Sequence, residues 1–169
     1  MTPALFGALL GAIAAGLIRL IDDVFERRRR RESTLVAIAA EVRTICDLIR
    51  HQEYLDAVQE QTALIRAGSW SGEQYVIDIR ANYFSVYESL SGELGLLKPH
   101  DITKIVSFYS YCKSAIDSTR PDGPMSKGAI AKDVQGNLVS LEGTLSAVLI
   151  LGDDILSRTR MPLPPALPQ

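Results

Sequence analysis

Residues 3–18 read PALFGALLGAIAAGLI, and residues 19–31 continue RLIDDVFERRRRR. The first string carries no charged side chain; the second closes on five consecutive arginines, Arg27, Arg28, Arg29, Arg30 and Arg31. Counting Leu20 and Ile21 past Arg19, the apolar stretch is about 19 residues, roughly 28 Å of helix, which suffices to cross a hydrocarbon core. Arg19 can snorkel into the headgroups. Pro3 suits a first helical turn, where its missing N–H costs nothing.

The flank sets the orientation expected. Basic residues follow the apolar stretch and none precedes it, so the positive-inside rule places the N-terminus outside and the chain after Arg27 in the cytoplasm. Ala12-Ile13-Ala14 mimics a signal-peptide cleavage site. A basic segment ahead of it is missing, however, and cleavage would export the arginine cluster. A retained anchor is therefore the expectation. Gly7, Gly11, Ala12 and Gly16 form a stripe of small residues along it, a spacing that lets another transmembrane helix approach closely. The arginines are expected to meet anionic lipid at the membrane surface.

The whole chain of 169 residues is 47% hydrophobic and 22% charged, which excludes pervasive disorder and permits a packed core. Residues 1–31 hold six arginines against three carboxylates, whereas the remainder holds 12 basic against 17 acidic side chains. A mildly acidic body argues against a nucleic-acid partner. The two cysteines and two histidines do not form a disulfide framework or a zinc module.

Beyond the arginines, Leu35, Ile38, Val42, Ile45, Leu48 or Ile49, Leu55 and Val58 recur at helical spacing. No Gly or Pro falls between Leu17 and Ala67, so the anchor is expected to run into the body as one rod ending at Gly68-Ser69-Trp70-Ser71-Gly72. An irregular connector is expected over Tyr75–Asn82, with Trp70 and Tyr75 plugging the bundle end. A short helix should follow over Tyr83–Leu94, closed by Gly95 in a left-handed cap. Asp101 is the expected N-cap of the next helix, which ends near Ser118. A turn-rich loop covers residues 119–128. A last helix, about Ala129 to Arg158, contains Gly136, Gly143 and Gly152 as candidate close-packing positions. Its run LSAVLIL (residues 145–151) is too short to span a bilayer and is expected in the core or at an oligomer contact. The tail holds Pro162, Pro164, Pro165 and Pro168, a spacing compatible with a polyproline II segment.

The strings ANYFSVYESL (residues 81–90), LGLL (94–97) and IVSFY (105–109) resemble a pattern in an uncharacterised bacterial family of small single-pass membrane proteins. Those proteins combine a basic flank with a cytoplasmic helical domain. The resemblance covers part of the body and the general layout, and implies architecture and a bacterial inner-membrane setting, with no activity attached. On the residues themselves, Tyr83, Phe84, Tyr87 and Leu90 or Leu94 share a helix face that Phe108 and Tyr109 should meet.

For chemistry, Asp47 and His51 stand four apart on one helix with Glu53 near, a weak metal pattern lacking the Glu-x-x-His of di-iron bundles. His100 is expected to assist capping. Cys46 and Cys112 read as small buried hydrophobes. Phosphate-binding, nucleophile-elbow and dinucleotide motifs are absent from the sequence. The fold class expected is all-α, an N-terminal transmembrane helix continuing into a cytoplasmic antiparallel helical bundle. Its parts are 1–22 (anchor), 23–34 (basic juxtamembrane segment), 35–158 (bundle) and 159–169 (proline-rich tail).

The function expected is non-enzymatic: an accessory or assembly subunit acting through protein contacts, without cofactor or small-molecule substrate. Its partners would be membrane lipid and other membrane subunits or itself. Gly7, Gly11, Ala12 and Gly16 would serve the anchor, and Tyr83, Tyr87, Phe108, Tyr109, Leu145 and Leu149 the bundle or a partner. The rivals are a membrane signalling or toxin-like effector and a metal-dependent enzyme built on Asp47 and His51.

Overall fold

The computed structural model describes residues 3–72, 82–120, 123–125 and 131–159, with side chains from residue 16 onward, Ala131 excepted. The connector over residues 75–81, much of the loop at 119–128 and the prolines of the tail lie outside the described residues, as do the side chains of Gly7, Gly11 and Ala12. Described residues form α1 (Pro3–His51), α2 (Tyr54–Arg66), α3 (Ser85–Leu90), a 3-10 turn (Ser91–Leu96), α4 (Pro99–Thr119) and α5 (Ala131–Arg158). The fold is all-α.

Helix α1 has 49 residues and serves two environments. Its middle is helical without tertiary support, aided by the i,i+4 pairs Glu26–Arg30 (2.6 Å) and Arg28–Glu32 (3.1 Å). Exposed pairs of this kind add only about 0.3–0.5 kcal/mol each, so helix propensity carries much of this segment. From Thr34 onward one face enters the core, with Ile38, Val42 and Cys46 fully buried. Among the described residues, no helix is long and apolar enough to cross a membrane.

The single rod expected from Leu17 to Ala67 is corrected. The helix stops at His51, and Glu53 adopts a left-handed conformation (φ 52°) before α2 begins. Neither Gly nor Pro causes the break. A left-handed non-glycine residue costs about 1–2 kcal/mol, which the turn offsets by carrying Val58 and Thr62 into full burial. There Thr62 Oγ1 reaches Glu142 of α5 at 2.9 Å. The end of α2 follows the sequence: Gly68 takes φ 71°, while Ser69 N–H bonds Leu64 C=O and Gly68 N–H bonds Ile65 C=O, both at 3.0 Å. That is a Schellman cap. Trp70 packs on the core and donates from Nε1 to Gln61 at 3.2 Å.

Two further boundaries differ from expectation. The helix over 83–94 ends at Leu90 and tightens into the 3-10 turn, and Gly95 is not left-handed. The turn instead terminates because Leu97 becomes extended and enters the core (5% exposed). Helix α4 starts at Pro99, with extended Lys98 as N-cap, so Asp101 lies in its first turn. Proline preset at the first helical position accounts for the earlier start.

Leu35, Ile105 and Ile155 gather at one end of the bundle, and Ile49, Thr119 and Leu141 at the other. Helices α1 and α4 thus run in the same direction and α5 returns antiparallel to both. Glycine matters at one place in α5. A Cβ on Gly152 would press on Cys46 Sγ and stand 3.2 Å from Phe108, so α1, α4 and α5 converge there. Gly136 and Gly143 have open space and need no glycine for packing. Met125, between α4 and α5, is fully buried and pins the connection to the core.

Candidate functional site

The side chain that organises the body is Glu41, which the sequence reading passed over. It sits on α1 one turn from Ile38 and Ile45, and it is half-buried. Its Oε1 accepts the backbone N–H of Val86 at 2.7 Å, and Oε2 accepts that of Tyr87 at 3.0 Å. These are otherwise orphaned donors of the first turn of α3, and a carboxylate is the favoured group at such an end. Asn82 supplies the local turn, its Oδ1 accepting Phe84 N–H at 3.0 Å. Tyr109 of α4 donates its hydroxyl to Glu41 at 2.6 Å.

Aromatic rings gather around the tyrosine that donates to this carboxylate. Tyr87 stacks on Tyr109 with centroids 3.9 Å apart, while Phe84 and Phe108 meet Tyr109 edge-on at 5.7 and 5.2 Å. Burial, and then the bond to Glu41, push the Tyr109 hydroxyl well above its usual range, so it remains a neutral donor. The cluster clamps α3 and the 3-10 turn onto α1 and α4. A second strut does the same nearer the arginines, where Thr34 Oγ1 donates to Glu93 at 2.7 Å.

The expected meeting of Phe108 and Tyr109 with the aromatics of residues 83–90 is seen. Phe108, Tyr109 and Leu145 are buried inside the bundle, whereas Tyr83, Tyr87 and Leu149 are half-buried. Of the apolar run 145–151, Leu145 and Val148 join the core and Ile150 stands 69% exposed. Gly16 has nothing near it, and Arg27 to Arg30 are exposed with Arg31 half-buried.

Nothing in the described body assembles a reactive constellation. Asp47 lies 3.8 Å from Arg50, His51 is exposed, and no three metal-ligating side chains cluster among the described residues. His100 Nδ1 is 3.5 Å from Asp101, at the start of α4. Cys46 and Cys112 are free, buried thiols pushed up to about 12 by desolvation, so neither is a thiolate nucleophile near neutral pH. A cavity of about 60 Å³ lies among Ile45, Ile49, Phe84, Cys112, Leu141 and Leu145. Its apolar lining offers no convergent polar group for chemistry. At the Leu35 end, Lys104 and Arg158 both bond Asp154 and hold its carboxyl below the usual range, Lys104 contributing most.

The chain matches no family model, no curated protein and no solved structure.

Proposed function

We propose that this chain is a single-pass protein of the bacterial inner membrane whose cytoplasmic helical bundle works by binding, as an accessory or assembly subunit of a membrane complex or homo-oligomer. One observation carries the reading. Leu17, Ile18, Leu20, Ile21, Val24 and Phe25 stand 50–65% exposed on a stretch of α1 that no other described element covers. Six large apolar side chains within nine residues, with Arg19, Asp22 and Asp23 among them, are costly to leave in water, at about 1.5–3 kcal/mol for each fully exposed. The first two close the uncharged sequence of residues 3–18, and the other four carry its apolar character on to the arginine run. A bilayer accounts for both features, with the N-terminus outside and the bundle in the cytoplasm. The stripe Gly7, Gly11, Ala12 and Gly16 would supply the contact between transmembrane helices.

The test is extraction of the full chain from native membranes in mild detergent, followed by native mass spectrometry. Resistance to alkaline carbonate and migration as an oligomer or with other subunits are expected. Release by carbonate would overturn the anchor, and a lone monomer would overturn the assembly role.

The effector alternative draws on a different feature. Helix α1 is at once the candidate anchor and a core helix of the bundle, so displacement at one end would be felt at the other. Unaltered growth and membrane potential on forced expression would count against it.

A further inference from the structure

We propose that the 3-10 turn Ser91–Leu96 is a second membrane contact, which seats Leu96 in the headgroup layer beside α1; this rests on the reading of residues 1–22 as the anchor. Leu96 faces Asp23, Glu26, Arg27 and Arg30 across an open groove. Those residues lie two to nine positions beyond Ile21, a height of about 3–13 Å along the helix axis. The headgroup region on each side of a bilayer is about 5–8 Å deep. Asp23 and Glu26 fall within that depth and Arg27 and Arg30 just beyond it, so Leu96, which faces all four, sits at the outer edge of the headgroup layer.

The local structure suits that position. Adjacent leucines divide the work: Leu97 is 5% exposed in the core, while Leu96 is left 36% exposed at the tip of the turn. Exposed Lys98 follows two residues on and gives the turn a cation that lipid phosphates attract. The height of the turn is not free to drift. Glu93 is tied to Thr34 of α1, and Glu41 grips the start of α3 one helix earlier. A lone transmembrane helix leaves the bundle free to tilt about its point of exit; a second contact fixes which side faces the lipid.

The experiment uses the full chain with Trp70→Phe as background, reconstituted in phosphatidylcholine–phosphatidylglycerol vesicles carrying lipids brominated near the headgroup end. Single tryptophans are placed by Leu96→Trp, by Ile21→Trp to report the anchor, and by Tyr111→Trp to report an exposed site farther along α4. Gly95→Trp, at a position with open space around it, repeats the reading if Leu96→Trp disturbs the turn. Tryptophan at 96 or 95 is expected to be quenched several-fold more than at 111. Quenching at 21 with none above the level of 111 at 96 and 95 overturns the second contact and leaves the anchor standing. No quenching at 21 overturns both.

Discussion

The hydroxyl of Tyr109 and the backbone N–H of Tyr87 converge on the same oxygen of Glu41, at 2.6 and 3.0 Å. One carboxylate on α1 thereby joins α3 and α4, from partners 46 and 68 residues away in the chain. Tyr109→Phe removes one of its donors and should lower stability by about 1–2 kcal/mol, whereas Glu41→Leu strands three donors and should cost about 3 kcal/mol or more. Urea unfolding of the two variants in the same detergent measures both, and equal losses would show that Glu41 does not organise the cluster.

Alkali should unfold the bundle by deprotonating its thiols. Cys46 and Cys112 rise from 9.0 to about 12 on burial, so the folded state holds their protons more tightly than the unfolded state. The sign follows: their contribution is complete below pH 9 and is lost as pH rises from there through about 12. Tyr109, also raised, adds to the loss above its ordinary value of 10.0. Replacing one thiol, as in Cys112→Ala, should make the fall of stability with pH shallower by up to about 1.4 kcal/mol per pH unit in that window. An unchanged slope would mean that the thiols ionise freely in the folded protein.

Gly152→Ala should be the most damaging glycine replacement in α5. Its methyl group would strike Cys46 Sγ, and overpacking of this kind costs about 1–3 kcal/mol. Gly136→Ala and Gly143→Ala meet open space and should instead stabilise by about 0.4–1 kcal/mol through helix propensity and a less free unfolded chain. Combining Gly152→Ala with Cys46→Ala should be markedly non-additive, since the second change removes the atom the first one strikes. Thermal melts of the three glycine variants, of Cys46→Ala alone and of the double variant decide it.

The attachment of α2 separates buried from exposed polar contacts. Thr62 is fully buried and bonds Glu142 at 2.9 Å, and Arg66, with its side chain 60% exposed, reaches the same carboxylate at 2.6 Å. Arg66→Ala should cost under about 1 kcal/mol and lose its effect in high salt. Thr62→Val should cost about 1–2 kcal/mol at any salt, because the half-buried Glu142 carboxylate loses its buried neutral donor. Denaturation at low and high ionic strength distinguishes the two.

Helix content, the apolar stripe of Ile38, Val42 and Ile45, the helix stop at Gly68 and the aromatic grouping around Tyr109 were legible in the sequence. Each depends on spacing within one turn or two, where residue type and period act locally. The break at Glu53 was not legible, because no residue there opposes a helix; burial of Val58 and Thr62 against a helix far along the chain decides it. Nor was Gly95, which reads as a cap until Leu97 is seen to be drawn into the core. Glu41 looks from the sequence like one more solvated carboxylate. Only the folded chain brings the open end of α3 and a buried tyrosine to it. The amino-acid order by itself determined which segments are helical and which faces are apolar, since both follow from local periodicity. The tertiary structure alone decided where the rod stops, which glycine is indispensable and which carboxylate holds the bundle, because those depend on neighbours that sequence distance conceals.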